Sequence, residues 1–283
     1  MKKIFILYAS YFALLTSCLL YAAFDNVGFN ARPQGMGDVF TSISDDINSV
    51  YYNPAGIAKV NNPQIIFSYR DFYNLGLLTQ NYLGFSVSGR FLNTAFSVHR
   101  IATTQDVDFL NYVEDIYAVT LAGKVANIEN LFAGINFKFY RVFTERNASG
   151  YGIDTGILYK LLENKFGFGL MLQNVNNPEI VWDTGVKDTL DFNFRLGISY
   201  MPVNDFTFAI DYAMNKLNFG IELWFLKNTI GLRGGIKDLT NKDKTFATGL
   251  SLNFGKLQFD YALTKHYSLG WTQFFTLMIR MRR

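Results

Sequence analysis

The chain carries few of the side chains that usually perform catalysis. Its two histidines are His99 and His266, and its one cysteine is Cys18. His99 shares one face of a predicted strand with Ser97, whereas His266 lies in a predicted loop with no acid–serine constellation around it. No catalytic triad or acid–base pair can be assembled from these residues, and two histidines cannot form a metal cluster. The sequence therefore predicts a protein that is not an enzyme and holds no metal or other cofactor.

Polar residues with a distinctive spacing lie instead near the N-terminus, between residues 24 and 62. Paired glycines, paired acids and a proline turn follow one another in the order Gly35, Met36, Gly37, Asp45, Asp46, Asn53, Pro54, Ala55 and Gly56. We expect a short helical turn to begin at residues 44–47, with Ser44 as its N-cap and the acids favoured by the helix dipole. The proline restricts Asn53 to an extended or turn conformation. Because nothing alternates here, the segment is predicted to fold compactly as a hatch.

From residue 63 onward, apolar and polar side chains alternate. Phe206, Phe208 and Ile210 share one face of a segment whose other face carries Thr207 and Asp211, and a period of two indicates a β-strand. Fourteen strands are predicted, at residues 64–71, 80–89, 91–100, 114–124, 131–142, 150–160, 165–174, 191–201, 204–213, 216–225, 228–236, 244–254, 256–264 and 271–282. The connections after even-numbered strands are short and most of the others are longer, which is typical of outer-membrane barrels.

The composition of the two strand faces distinguishes a membrane barrel from a soluble sandwich. The chain is 49% hydrophobic and 17% aromatic but only 17% charged, against roughly 25% charged in soluble domains. The polar faces hold mainly Gly, Ala, Ser, Asn and Thr, which suit a confined interior better than a solvated surface. Beyond the N-terminus, no apolar run reaches the ~20 residues that a membrane helix needs. We therefore predict an all-β fold, a 14-stranded antiparallel transmembrane β-barrel over residues 63–283, with the hatch of residues 24–62 in its lumen.

The first 23 residues have the features of an export signal. Two lysines precede an apolar stretch over residues 4–20, and Ala22 and Ala23 offer small side chains at a cleavage site. Residues 15–18 also resemble a lipobox, which would make Cys18 a lipidated N-terminus; the continuing apolar sequence after Cys18 favours the ordinary signal peptide. The predicted location is the bacterial outer membrane. A formal net charge of only +3 provides no basic patch for nucleic acid.

Several ionisable side chains fall on the inward faces of the predicted strands. They are Lys138, Asp154, Arg195, Asp211, Glu222, Arg233, Asp260 and Arg280. Because both signs are present and buried charges need partners, ion pairs that hold the hatch are favoured over a polar track for a solute. Phe132, Met171 and Met278 also face inward and are candidates to line an apolar ligand pocket.

The N-terminal motif, followed by a β-rich body, resembles the FadL-type outer-membrane proteins, and among them the PorV/PorQ-like branch. The resemblance covers residues 31–58 and implies a hatch inside a fourteen-stranded barrel, with Asn53, Pro54 and Ala55 matching the hatch motif. FadL-type members carry hydrophobic molecules such as fatty acids or aromatic hydrocarbons inward and release them sideways through a gap in the wall. PorV-type members serve a protein secretion system.

Two functions therefore stay open at this point. The favoured one is passive uptake of a hydrophobic small molecule by a monomeric barrel surrounded by membrane lipid. The alternative is a component of a secretion or cell-envelope assembly, which would dock a secretion-system protein through the loops at residues 101–113 and 175–190. The predicted third strand, residues 91–100, contains no glycine or proline that would kink the wall, so no lateral exit is predicted there.

Overall fold

The computed structural model describes Phe24 and residues 28–104, 111–242 and 244–281. The predicted export signal and Cys18 lie outside these residues. Two short α-helices span Ala31–Gly35 and Ser49–Tyr52, and short 3-10 helices span Pro54–Lys59 and Phe72–Asn74. The strands are β1 (Gln64–Asp71), β2 (Leu78–Val87), β3 (Asn93–Thr103), β4 (Val113–Lys124), β5 (Leu131–Phe143), β6 (Asn147–Leu161), β7 (Phe166–Gln173), β8 (Glu179–Trp182), β9 (Lys187–Thr189), β10 (Asn193–Val203), β11 (Phe206–Ala213), β12 (Lys216–Phe225), β13 (Ile230–Lys237), β14 (Thr245–Asn253), β15 (Leu257–His266) and β16 (Gly270–Arg280).

Fourteen of these strands form a closed antiparallel barrel. Each wall strand pairs with its neighbours in chain order, β7 pairs with β10, and β1 pairs with β16 to close the ring. The predicted fold class and strand number are therefore confirmed, and every predicted strand boundary lies within about three residues of the observed one. Hydrophobic alternation predicts these strands well because each has one face towards lipid and one towards the interior.

A small hairpin of β8 and β9 is the part of the sheet that the sequence analysis missed. It lies in the predicted loop 175–190, where strands of only four and three residues are too short to show alternation. The hairpin joins the sheet through Ala148 opposite Trp182 and Ser149 opposite Val181. β6 begins at Asn147, earlier than expected, because its pairing with β5 continues to Asn147 opposite Phe143.

The outer face of the barrel wall is apolar. Phe67, Leu83 and Phe96 are each about half exposed, and similar side chains continue around the other strands. An exposed apolar surface of this extent suits a lipid environment. Among the described residues, no helix is long and apolar enough to cross a membrane.

Residues 28–62, here called the N-terminal segment, lie against the inward faces of the strands. The expected helical turn at residues 44–47 is wrong, because the helix begins at Ser49. Ser44 Oγ donates instead to the Phe40 carbonyl oxygen, which closes a turn. The two acids that were expected to favour a helix N-terminus instead contact the Arg32 guanidinium.

Small side chains on the inner wall allow this segment to approach the strands closely. A Cβ atom added to Gly169 would lie 2.2 Å from the Thr41 carbonyl oxygen, and one added to Gly235 would lie 2.3 Å from the Met36 carbonyl carbon. A Cβ atom on Gly156 would lie 2.2 Å from Asn53 Oδ1. Glycine is needed at these positions because any side chain would displace the segment.

Gly156→Ala is therefore expected to loosen the N-terminal segment while the barrel stays intact. Overpacking of a close-packed interior costs about 1–3 kcal/mol, and the new methyl group would push on Asn53. Hydrogen–deuterium exchange should show faster exchange of the backbone amides in residues 48–57. Gly234→Ala is the matched control, because the nearest atom to its added Cβ is an Ile221 side-chain carbon at 3.6 Å. Equal exchange in both variants would contradict this account of the inner wall.

Candidate functional site

Arg32 is the centre of the ion-pair network that joins the N-terminal segment to the wall. Its Nε and Nη2 donate to the two carboxylate oxygens of Glu222 at 2.9 and 2.8 Å. Its Nη1 donates to Asp45 and Asp46 at 2.6 and 2.5 Å. The two-pronged contact with Glu222 fixes the guanidinium plane and adds two charge-assisted hydrogen bonds. One buried arginine thus ties two parts of the N-terminal segment to β12.

On the wall side, Glu222 belongs to a longer chain of charges. Arg233 Nε donates to Glu222 at 2.6 Å, and Arg233 Nη1 lies 3.2 Å from Asp260. All three side chains are almost fully buried. Arg32 and Arg233 thus give the two buried wall carboxylates, Glu222 and Asp260, the cationic partners that buried charges require.

Asp38 forms a second anchor, which joins the N-terminal segment to β10 and β13. Its carboxylate lies 3.2 Å from Arg195 Nη2 and 3.4 Å from Lys237 Nζ. Tyr52 Oη and Gln34 Nε2 each donate to Asp38 Oδ1 at 2.7 Å. Burial by itself would raise the pKa of Asp38, but Lys237 and Arg195 outweigh it, so the pKa is lowered from its ordinary value.

Wall side chains also bind the backbone of the N-terminal segment directly. Asp211 Oδ2 accepts from the amides of Phe40 and Thr41, both at 2.9 Å. Asn136 Nδ2 donates to the Val50 carbonyl at 2.7 Å. These bonds satisfy backbone groups that the segment, lacking strand partners, would otherwise leave buried and unpaired.

The N-terminal segment also donates a side-chain hydrogen bond to the wall. Asn53 Nδ2 donates to the Ile157 carbonyl of β6 at 2.9 Å and to the Thr41 carbonyl at 3.0 Å. Its Oδ1 accepts from the Ala55 amide at 3.2 Å and caps the 3-10 helix that starts at Pro54. Asn53 therefore joins three chain segments at one point, which accounts physically for an asparagine before this proline.

An aromatic cluster borders a small cavity between the segment and the β2–β6 wall. The Phe29 ring centroid lies 4.1 Å from that of Tyr51, 4.8 Å from Tyr82 and 4.5 Å from His99. The cavity has a volume of about 50 Å³, and Ala118 forms part of its lining. An apolar cavity that binds benzene measures about 150 Å³, so this one is too small for such a molecule unless the segment moves.

The fold of the chain is similar to that of several solved structures. No protein-family model and no curated protein sequence matches the chain. A deltaS2 mutant of the TodX monoaromatic hydrocarbon channel superposes with a TM-score of 0.64 at 10% identity, over 91% of this chain and 99% of that chain. The fold of this chain is therefore FadL-like. A FadL homologue of Pseudomonas aeruginosa gives a TM-score of 0.62 at 10% identity, over 91% and 99% of the two chains.

The FadL-like fold is also that of the Pseudomonas putida toluene transporter TodX. That structure superposes with a TM-score of 0.65 at 10% identity and covers 90% of this chain and 97% of that chain. At such low identity the likeness concerns the fold alone. The residues of this FadL-like barrel must therefore be interpreted from their own contacts.

The remaining motif residues of this FadL-like chain lie close to the inner wall. Gly35 packs against Gly249, Met36 against Gly220, and Gly37 against the backbone of β13. Pro54 and Ala55 pack against Gly134, and Gly56 packs against Ser44 within the segment. The glycines of the segment and of the wall permit backbone-to-backbone contact that larger residues would prevent.

Three further predicted lumen charges, Lys138, Asp154 and Arg280, have partners on the wall. Lys138 Nζ lies 2.7 Å from Asp154, and Arg280 Nη2 donates to Gln258 Oε1 at 2.6 Å. These contacts link neighbouring wall strands to each other.

None of the three candidate lining residues, Phe132, Met171 and Met278, is among those that line the cavity at Phe29. Met278 packs in the cluster that contains Ile66. Met171 stands opposite Gly156 and Arg195 in the sheet register, and Phe132 stands opposite Leu158 and Lys124. Among the described residues, no group of three or more His, Cys, Asp or Glu side chains could hold a metal ion.

Arg32 and Asp38 are the principal residues that sequence reasoning missed. Arg32 is the one basic residue of the N-terminal segment before Lys59, in a stretch that also carries three acids. That imbalance was an available signal, because a lone cation among acids in a predicted buried segment needs its partners. Lys237 gave no comparable signal, since only the tertiary fold brings it to Asp38.

Arg32→Met is expected to release the N-terminal segment from β12. It removes the cationic partner of Asp46 and leaves Glu222 paired with Arg233 alone, and loss of one partner of a buried ion pair typically costs about 3–5 kcal/mol. Limited proteolysis of the purified chain in detergent should then cleave within residues 28–62, while the barrel resists. Lys187→Met is the control, because its pair with Glu179 is more than half exposed. Unchanged protection in Arg32→Met would show that Arg32 is dispensable as an anchor.

Acid is expected to weaken the second anchor. Because the pKa of Asp38 is lowered in the folded chain, its stabilisation is complete above the ordinary pKa of about 4 and is lost as the pH falls through the lower folded value. Thermal unfolding followed by near-ultraviolet circular dichroism between pH 7 and pH 2 should show this loss. Burial raises the pKa of Asp46, which works in the opposite direction, so Asp38→Asn is needed to isolate the contribution of Asp38. A wild-type acid dependence that is unchanged in Asp38→Asn would contradict the assignment.

Proposed function

We propose that the chain is an outer-membrane channel for the passive uptake of hydrophobic small molecules, fatty-acid-like or aromatic. In this proposal residues 1–23 are the export signal and residues 24–62 are the hatch, which moves to admit the ligand. The observation that carries the proposal is the aromatic cavity at Phe29, enclosed between the hatch and the wall. The FadL-like fold supports it, because the similar structures include channels for hydrocarbons.

The aromatic and aliphatic part of this cavity suits a flat apolar guest, whereas the rest of the lining is polar and includes Lys138 and Asp154. Phe29, Tyr51 and Tyr82 offer ring faces and edges to it, and Val50 and Ala118 add aliphatic surface. Aromatic rings bind other rings through offset or edge contacts. A nonpolar molecule would gain these contacts and leave water, which is favourable by about 25 cal/mol for each Å² of apolar surface buried.

The hatch must move for such a molecule to pass. The cavity of about 50 Å³ is too small for a ring compound. No side exit relieves this at β3, which keeps an unbroken register with β2 and β4. Passage through the lumen therefore requires the contacts of Arg32 and Asp38 to rearrange, so these anchors set the energy needed to open the channel.

Deletion of residues 24–58 should leave a folded barrel with a higher conductance in planar lipid bilayers. The lumen of a fourteen-stranded barrel is wide enough to conduct ions when no segment fills it, and this deletion removes both anchors. Intact strands are checked by far-ultraviolet circular dichroism of the same preparation. A folded deletion variant with wild-type conductance would mean that the segment does not act as a hatch.

The ligand class is tested by filling the cavity. Ala118→Leu adds a side chain that lines it, whereas Ala122→Leu adds the same bulk on the same buried face of β4 outside the cavity lining. We expect uptake of radiolabelled toluene by cells to fall at least about tenfold with Ala118→Leu and to change little with Ala122→Leu, because an overfilled apolar pocket loses its guest. Equal uptake by both variants would contradict a hydrocarbon pathway at this cavity.

Purification of the full chain in detergent distinguishes an uptake channel from a component of a secretion assembly. Mass spectrometry of compounds that co-purify with the full chain in detergent should detect apolar small molecules, and fewer of them with Ala118→Leu. Reproducible absence of an apolar ligand, together with a bound polypeptide, would refute the channel proposal in favour of a PorV/PorQ-like assembly component.

A further inference from the structure

A second and larger cavity lies at the long-loop end of the barrel, away from the aromatic cluster. Its volume is about 420 Å³. Its lining comes from the end of β1, the β11–β12 turn, the β13–β14 loop and the facing ends of β15 and β16. It shares no described lining residue with the cavity at Phe29. The two cavities are therefore separate sites, and the channel proposal uses only the smaller one.

The described lining of this larger cavity is polar and carries an excess of positive charge. Arg70, Lys216 and Lys237 supply three cations, and Asp238 is the one described carboxylate among the lining residues. Lys237 is partly neutralised by Asp38 at 3.4 Å. Arg70 and Lys216 have no carboxylate within ion-pair distance among the described residues.

Arg70 is the decisive residue because it is buried without a partner. Its side chain belongs to a residue that is only 5% exposed, and its Nε and Nη2 atoms find no hydrogen-bond partner in the described part of the chain. The guanidinium carbon lies 3.9 Å from the Phe72 ring centroid and 5.0 Å from that of Phe274. The two rings fix the guanidinium beside the cavity, while cation–π contact leaves its N–H groups unpaired.

We propose that this cavity binds a small hydrophilic organic anion, with a carboxylate or phosphate group of the anion on Arg70. A guanidinium presents paired N–H donors that match two oxygens of either group. Lys216 adds a second positive charge at the rim, and the hydroxyl groups of Thr264 and Thr272 lie in the lining to donate to further oxygens. The remaining volume accommodates the organic body of the ligand.

The predominantly polar lining favours a hydrophilic anion over the hydrophobic ligands proposed for the cavity at Phe29. Most of the described lining side chains are charged, hydroxyl or amide groups, and two of the aromatic rings already contact Arg70. A long alkyl chain would find little apolar surface here and would leave these polar groups without water. The site therefore favours a compact, doubly charged anion over a fatty acid.

Isothermal titration calorimetry on the full chain in a zwitterionic detergent tests the proposal. The probes are glucose 6-phosphate and succinate as hydrophilic dianions, glucose as the neutral comparison and octanoate as the apolar monoanion. We expect saturable binding of at least one dianion, none of glucose, and weaker binding of octanoate. Arg70→Gln should weaken dianion binding at least about tenfold, because a hydrogen bond to a charged group is lost. Arg141→Gln, which alters an exposed arginine on β5, should leave binding unchanged.

An exposed variant keeps the test valid if Arg70→Gln does not fold. Lys216→Glu and Lys227→Glu change exposed lysines at opposite ends of β12, and only the first lies at the cavity. Reversal of charge beside the anion should weaken dianion binding about tenfold in Lys216→Glu and leave Lys227→Glu unchanged. Absence of saturable dianion binding, equal binding in the two lysine variants, or tighter binding of octanoate than of both dianions would overturn the proposal.

Discussion

The need to neutralise buried charge determines how this barrel is filled. Arg32 alone contacts Glu222 on the wall and the paired acids of its own segment. Glu222 in turn depends on Arg233 and, through it, on Asp260. Each of these charges would be costly to bury without its partner. The ion pairs therefore fix the position of the N-terminal segment relative to β12. The second anchor works in the same way, because Arg195 and Lys237 neutralise the buried Asp38 carboxylate.

Close packing complements the charges. Glycines on the inner wall let the backbone of the segment touch the backbone of the strands, and Asp211 and Asn136 then satisfy its amide and carbonyl groups. The packing between the segment and the wall is consequently dense, and the cavity beside Phe29 is small. Under the channel proposal, this packing keeps the lumen closed until a ligand or the loss of an anchor shifts the segment.

The two cavities differ in the chemistry that they offer to a small solute. The cavity at Phe29 is aromatic and lies against the segment, whereas the cavity at Arg70 is cationic and lies at the long-loop end. Asp38 stands between these environments, since it contacts Tyr52 within the segment and Lys237 in the lining of the larger cavity. A solute that competes for Lys237 would thus act on one of the two anchors.

The sequence by itself determined the barrel. A period of two, with large apolar side chains outward and small polar ones inward, follows directly from a wall between lipid and a confined lumen. The fourteen strands could therefore be located to within about three residues. The motif of glycines, acids and Asn53 also marked the segment that lies against the inner wall, because its residue types do not fit a strand.

Only the tertiary structure decided the partners. Alternation shows that Glu222 and Arg195 face inward, but which charge meets Arg32 or Asp38 depends on residues more than 150 positions apart in the chain. The same holds for Phe132, Met171 and Met278, which share an inward direction although none of them lines the cavity at Phe29. The short hairpin of β8 and β9 and the helix start at Ser49 were also hidden. Local pattern fixes the direction of a side chain, whereas its neighbour across the lumen is set by how the ring closes and how the segment packs within it.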